Sequence, residues 1–411
     1  MKRSAGAGIA LALLLPSLAA AQSTLSLSDA VDAALASRPL LKAESERVAA
    51  AEAHARQAGA WPNPEVQFTN ENLRPGQTYG TDVDSLAVVT QPLDVLGKRG
   101  ARVEVAEAAT ARTVAEQEVT RRTIVQQVKL AYWTARGAQE RRDLLRDAVT
   151  NFQRIVDYHT AQLSVGTIPE QDVLRVRLEH EQIQIAAHLA TIEATAARAA
   201  LFRQLGRPDD PAIVLSEPID AQRAVTIAAA DVALMQRADL QVSRSQIAEA
   251  TANATLQRVN ARPDVAAIAG YKRTLLPDAP TGVNTAIAGV RLTVPLFDRN
   301  TGNRQAAEAE SRRQALLLTE VESQARTEIA RATQEYELRR QEVTDTLTPL
   351  REHATSLAGI ARAAYEQGAV DVLRLLDAER SRLEAERAWV DGMVAYQQSV
   401  VNLESAQGAA R

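Results

Sequence analysis

The chain has 411 residues with 15 prolines, 18 glycines and no cysteine, so disulfides and thiolate metal sites are excluded. Its formal charge is -4, with both signs interspersed, which leaves no basic excess to hold nucleic acid. Aromatics are only 3% and alanine, glutamate, arginine and glutamine dominate, a composition of long helices packed through small side chains.

Residues 1–21 read as a signal peptide. Lys2 and Arg3 precede an apolar run from Ile9 to Leu15, and Ala19, Ala20 and Ala21 offer a cleavage point before Gln22. The run is too short for a membrane helix, and with no cysteine at the cleavage point the mature chain is not a lipoprotein. The rest divides into two halves, 22–210 and 211–411. Each half predicts a helix, two strands, a long helix, a turn and a returning helix. In the first these are 27–60, 65–73, 84–93, 99–163 and 169–205, with the tip near 166. In the second they are 227–260, 264–273, 285–296, 303–366 and 370–406, with the tip near 368. Pro263 follows Pro64 by 199 residues, Pro295 follows Pro92 by 203 and Gly368 follows Gly166 by 202. So constant an offset predicts an internal duplication.

A helix of about 60 residues is about 90 Å long. Its packing stripe is read as Ile124, Val128, Tyr132, Leu144, Val149, Phe152 and Val156 in the first half, and as Leu373, Leu376 and Leu383 in the second. The strand segments alternate with period two: Val66 and Phe68 against Glu65, Gln67 and Thr69, and Ala286 to Val294 on one face of 285–296. Nine to twelve residues suffice for a tilted strand to cross a bilayer. Four strands cannot close a membrane barrel, because open edges in lipid strand their backbone groups. The chain must then assemble; two copies give eight strands and three give twelve, and a wide helical tube on the same axis favours three. A soluble sheet capping a coiled coil is the competing architecture.

At "QPLDVLGKRGAR" (91–102), "VPLFDRNTGNR" (294–304) and the paired tips "LSVGTIPEQDVLR" and "YEQGAVDVLRLLDAER", the chain resembles the TolC-like outer-membrane efflux family. Within it, the similarity leans to the branch partnered with heavy-metal cation exporters. The resemblance implies an outer-membrane β-barrel with four strands per protomer, twelve-stranded in a homotrimer, continued by a long periplasmic α-helical barrel. Pro92, Gly97 and Gly100, and Pro295 and Gly302, would form the strand–helix junctions: proline ends a ladder and glycine lets the backbone turn. Leu163, Val165, Gly166 and Thr167, with Tyr365, Gln367, Gly368 and Ala369, would be tips that dock a periplasmic adaptor (membrane fusion) protein. Asp172, Arg175, Arg374 and Asp377 would form a charged tip gate, in place of the family's acidic pair past the second tip.

The five histidines, His54, His159, His180, His188 and His353, form no metal-ligand spacing, and neither GxxxxGK, GxGxxG nor G-x-S-x-G occurs. The sequence therefore predicts no enzyme, cofactor or resident metal. The expected function is an outer-membrane exit duct of a tripartite efflux system, exporting heavy-metal cations with an RND-type proton-driven inner-membrane pump. Its alternatives are a duct for drugs or secreted polypeptides and, from another class, a periplasmic coiled-coil adaptor or scaffold without a pore.

Overall fold

The structure is a computed structural model and describes residues 24–73, 75–76, 83–211, 213–221, 225–276 and 279–409. The signal peptide and its cleavage point lie outside the described residues.

Helix α1 (Leu27–Ser37) is opened by a capping box: Ser26 Oγ accepts from the Asp29 amide at 3.1 Å, and Asp29 accepts from the Ser26 amide at 3.4 Å. It stops at Arg38, which is extended because the next residue is Pro39, and α2 (Pro39–Ala58) starts on that proline. The single helix expected over 27–60 is thus two. The helix expected over 227–260 is also two, α5 (Ala230–Gln236) and α6 (Ala238–Asn260), divided at an extended Arg237. No proline acts there. Instead Arg237 donates to Ala406 O at 3.0 Å, to Asp239 at 2.6 Å and to Glu328 at 2.7 Å, and these bonds hold it out of helical geometry.

Strand β1 (Thr24–Leu25) pairs in parallel with β4 (Val214–Leu215), a strap too short to show a period in sequence. The other four strands form one antiparallel sheet in the order β2 (Glu65–Glu71), β3 (Asp84–Leu93), β5 (Asp264–Leu276) and β6 (Ala279–Thr293). β2 stops short of the expected 73 because Asn72 takes φ 67° and leaves the ladder. β5 and β6 reach farther toward each other than the expected 264–273 and 285–296, since Pro280 and Gly282 hide the strand from a period-two reading. β6 ends at Thr293, opposite Asp264, where its partner strand begins. The registers place Val66, Val89, Ala269 and Ala288 in one row, and Phe68, Ala87, Tyr271 and Ala286 in the next on the same face. Glu65, Gln67, Thr69, Thr90, Lys272, Thr285, Arg291 and Thr293 lie on the opposite face. One face is therefore mostly apolar and the other mostly polar, and β2 and β6 are open edges.

From the sheet run two helical hairpins. The first is α3 (Lys98–Ser164) and α4 (Glu170–Leu205); the 67 residues of α3 span about 100 Å. The second is α7 (Thr301–Gln341), a π-helical turn (Glu342–Leu347), α8 (Thr348–Glu366) and α9 (Val372–Ala406). An unbroken helix was expected over 303–366. Pro349 has no N–H and its ring crowds the carbonyl four residues back, so the helix widens just before it. Among the described residues no helix is long and apolar enough to cross a membrane.

α3 is the spine. Tyr132 and Trp133 pack edge-on at 5.7 Å and are buried with Phe202, Leu205 and Val31, while the Tyr132 hydroxyl donates to Leu25 O at 2.8 Å and accepts from the Glu217 amide at 3.1 Å. A second core joins the two hairpins through Phe152, Val156, Val176, Val372, Leu376 and Leu383. Of the expected stripe, Leu144 and Val149 are only partly buried, and Leu373 is exposed with Leu375 buried in its stead. Gly206 (φ 69°) ends α4 against Arg38, and Gly408 (φ 73°) ends α9 against Gln236 and Arg237. Each returning helix thus closes on the break that begins its own half.

Candidate functional site

The two tips have the same backbone. At the first, the Gly166 amide donates to Leu163 O at 2.9 Å and the Thr167 amide to Gln162 O at 3.1 Å. At the second, Gly368 donates to Tyr365 O at 2.9 Å and Ala369 to Ala364 O at 2.9 Å. These are Schellman caps, and the positive φ of Gly166 (74°) and Gly368 (71°) is what they require. The following helix is capped at Asp371, whose side chain accepts from the Arg374 amide at 3.1 Å, and starts after Pro169 at the first tip. Val165, Thr167, Gln367 and Ala369 are exposed, and Leu163 is half-buried.

Tyr365 is turned inward. It stacks on His159 at 5.4 Å and its hydroxyl lies 2.7 Å from His159 Nε2, while His159 Nδ1 lies 2.8 Å from Ile155 O. His159 is fully buried, so this contact ties α3 to α8 just behind the tips. Burial, helped by Tyr158 and the charge of Asp172, pushes the Tyr365 phenol up. Glu379, also buried, takes Arg362 from α8 and Arg382 at 3.0 Å; Arg380 binds Glu179 of α4 at 2.6 Å. The Glu179 bond and charge raise the Arg380 guanidinium further. A cavity of about 440 Å³, lined by Arg154, Tyr158, Arg362 and Tyr365, opens between the hairpins here. None of the His159–Tyr365 or Glu379 contacts was read from sequence. A histidine and a tyrosine 206 residues apart carry no local signal, although the buried stripe that flanks them does.

The four gate residues lie in the first turns after the tips. Arg175, Arg374 and Asp377 are exposed and Asp172 is half-buried. Among the described residues of one chain, no ion pair joins any two of them.

At the junctions, Pro92 stands inside β3 opposite Ala266, and Pro295 stands two residues past β6. Gly97 takes φ 84° as the cap of α3, and Arg262 donates to Leu96 O beside it at 2.7 Å. Gly100 and Gly302 lie within the first turns of α3 and α7 and take no part in turning the chain, a correction to their expected role. The second junction is turned by Asn300 (φ 56°), whose side-chain Nδ2 donates to Gln257 O at 2.8 Å. Asparagine tolerates the left-handed region through local hydrogen bonding, which made it the signal to find. Lys98–Asp264 (2.6 Å) latches α3 to the start of β5, and Arg102–Asp94 (2.9 Å) ties it to the residue after β3. Among the described residues no group of three or more histidines and carboxylates gathers as metal ligands.

A profile of the family described as "Outer membrane efflux protein" matches residues 30–207 and again 229–409. The cobalt-zinc-cadmium resistance protein CzcC of Cupriavidus metallidurans is 26% identical over 404 residues, covering 92% of each chain. A membrane protein from Pseudomonas aeruginosa superposes with a TM-score of 0.77 at 22% identity, over 93% of this chain and 92% of its own. The open state of the Neisseria gonorrhoeae MtrE outer membrane channel gives 0.76 at 19% identity, over 94% and 90%.

Proposed function

Since the chain belongs to the outer membrane efflux protein family, we propose that it is the outer-membrane exit duct of a tripartite efflux system that exports heavy-metal cations. The observation that carries the duct is the sheet: four strands with an apolar face, a polar face and two open edges, continuous with one helix of about 100 Å and with a second, π-interrupted helical limb. The two halves, which carry the same order of elements, are a duplicated wall unit. Three copies close a twelve-stranded barrel in lipid and set their hairpins side by side as a periplasmic tube. The similarity to a cobalt-zinc-cadmium resistance protein supports the cargo class, and an RND-type pump and a periplasmic adaptor are its partners. Cargo passes through the hydrated lumen, and the pump supplies the driving energy.

The tips Leu163–Val165–Gly166–Thr167 and Tyr365–Gln367–Gly368–Ala369 are the adaptor contacts, and Asp172, Arg175, Arg374 and Asp377 pair between neighbouring chains when the tube is closed. Exposed pairs of this kind are weak, about 0–1 kcal/mol each, so docking can release them. Purified chain in a planar bilayer should conduct, and Arg374→Ala should raise the closed-state leak; an unchanged leak removes the gate. A deletion strain should become sensitive to cobalt, zinc or cadmium. Sensitivity to detergents alone would assign the duct to drugs.

A further inference from the structure

The segments that flank one end of the sheet differ in charge from the rest of the chain. Glu65 pairs with Thr90 and Asp264 with Thr293, so residues 56–64, 94–104, 255–263 and 294–304 all meet at that end. Together they hold eight basic residues and three acidic ones, in a chain whose formal charge is -4. Lys98 and Arg102 are spent within the chain, on Asp264 and Asp94. Arg56 and Arg299 are exposed and, among the described residues, form no ion pair. Arg99 is held by neutral groups instead. Its Nε donates to Gly59 O at 2.6 Å, and its guanidinium lies over the Trp61 ring, 5.5 Å from the centroid. The two terminal nitrogens have no partner among the described residues and present the fork that suits phosphate oxygens.

The same end is apolar as well as basic. Val290 and Leu292, in the last rows of the apolar face, are exposed. Gln91 of that face donates to Pro62 O at 2.9 Å and so ties the Trp61 linker to it. Trp61 is 56% exposed and Phe297 100%, and Val95 is exposed at the same end. Exposed rings among unpaired cations match the boundary of a bilayer, where a ring is half in acyl chains and a cation meets headgroups.

We propose that this end of the sheet is a collar for anionic phospholipid. Arg99 holds a headgroup phosphate beside Trp61, Arg56 and Arg299 attract further headgroups, and Trp61 and Phe297 enter the acyl boundary. The proposal rests on the barrel reading above, which sets the apolar face in lipid and this end at the periplasmic leaflet. A free phosphate would make no use of the exposed rings. A zwitterionic headgroup would bring its own ammonium to a surface that already has a cationic excess, so charge selects the anionic lipid.

The chain has three tryptophans, and Trp133 and Trp389 are 1% and 8% exposed, so a lipid-borne quencher reports on Trp61. Full-length chain is reconstituted in phosphatidylcholine vesicles with a minor fraction of phosphatidylglycerol, with brominated acyl chains on one lipid or the other. Brominated phosphatidylglycerol should quench more than its share of the bilayer allows, and Trp61→Phe should abolish the quenching. A guanidinium at an anionic leaflet is worth about fivefold in lipid affinity, so Arg99→Gln and Arg299→Gln should each lower the enrichment, and Arg99→Lys should keep part of it. Arg299→Gln removes charge without touching the Trp61 ring or Gly59, which guards against a local folding defect. Excess inorganic phosphate should leave the enrichment unchanged.

Quenching in proportion to abundance, or an enrichment that survives Arg99→Gln/Arg299→Gln, overturns the collar. Release by inorganic phosphate overturns it too, because the site then takes a free anion. If Trp61 is unquenched by either lipid in a chain that floats with the vesicles, the bilayer edge lies elsewhere and only the collar fails. A chain that does not float with them overturns the barrel reading itself.

Discussion

The two descending limbs of the hairpins have the same place in the chain and different places in the fold. α3 runs unbroken and is wrapped on several sides, burying Tyr132, Trp133, Leu145 and Phe152. The α7–α8 limb is interrupted by a π-turn, buries little beyond alanines, Ile329, Tyr336 and the π-turn's Val343, and leaves Leu350, Leu357 and Ile360 exposed. One limb is completed within the chain, whereas the other has an apolar stripe that a single chain does not cover.

The largest test of that contrast is Trp133→Ala. The indole is 1% exposed at the centre of the first core, and its removal should cost about 3–5 kcal/mol, read as a lower denaturant midpoint. Gly137 comes next. A Cβ there would sit 2.2 Å from Val394 Cγ2 and 3.5 Å from Val394 Cβ, a stiff side chain on α9. Gly137→Ala should therefore cost about 1–3 kcal/mol. Gly392→Ala, which meets the end of the flexible Leu347 at 2.1 Å, should cost less; a reversed order in melting would show that α9 is held by the π-turn instead of by α3.

A smaller, pH-dependent effect separates the two helix breaks. Burial opposes ionisation of Asp239, but its bonds and charge pairing with Arg237 outweigh that and hold the carboxyl below the ordinary range. This stabilisation is present above the unfolded-state value of about 3.9 and is lost as the pH falls through the folded one. Asp239→Asn should thus flatten the acid destabilisation of the α5–α6 joint, followed by hydrogen exchange. The corresponding position in the first half is Leu40, so the α1–α2 joint, set by Pro39, should not respond. Smallest for the isolated chain is Leu357→Ala, expected within about 0.5 kcal/mol in a monomer melt because the side chain is exposed. If it lowers monomer stability like a core residue, the α7–α8 limb has a partner inside its own chain.

Element type and order were legible because they rest on repeated local signals: the period-two runs around Phe68 and Val290, and glycines at 166 and 368. Breaks that depend on a single proline were partly legible. Pro39 and Pro349 are visible in the sequence, but whether a proline opens a new helix or is absorbed in a wider turn is decided by packing. The break at Arg237 was hidden altogether, since it is imposed by Ala406, Asp239 and Glu328 from distant segments. The tips divided in the same way. Their Schellman turns follow from glycine, while the inward Tyr365 and its buried His159 are tertiary facts.

The π-turn also has a mechanical meaning. From the cap Gly97 to the tip Gly166 the first limb spans 69 residues, and from Asn300 to Gly368 the second spans 68. The wide turn advances less per residue than an α-helix, so the second limb falls short of the first by about 3 Å, two residues of rise. The returning limbs are matched, at 40 residues from tip glycine to end glycine in both. Two struts of unequal length fastened at both ends bow toward the shorter one. In the tube proposed above, a wall built of such unequal pairs would taper toward its tips by a count of residues, before any charge there acts on it.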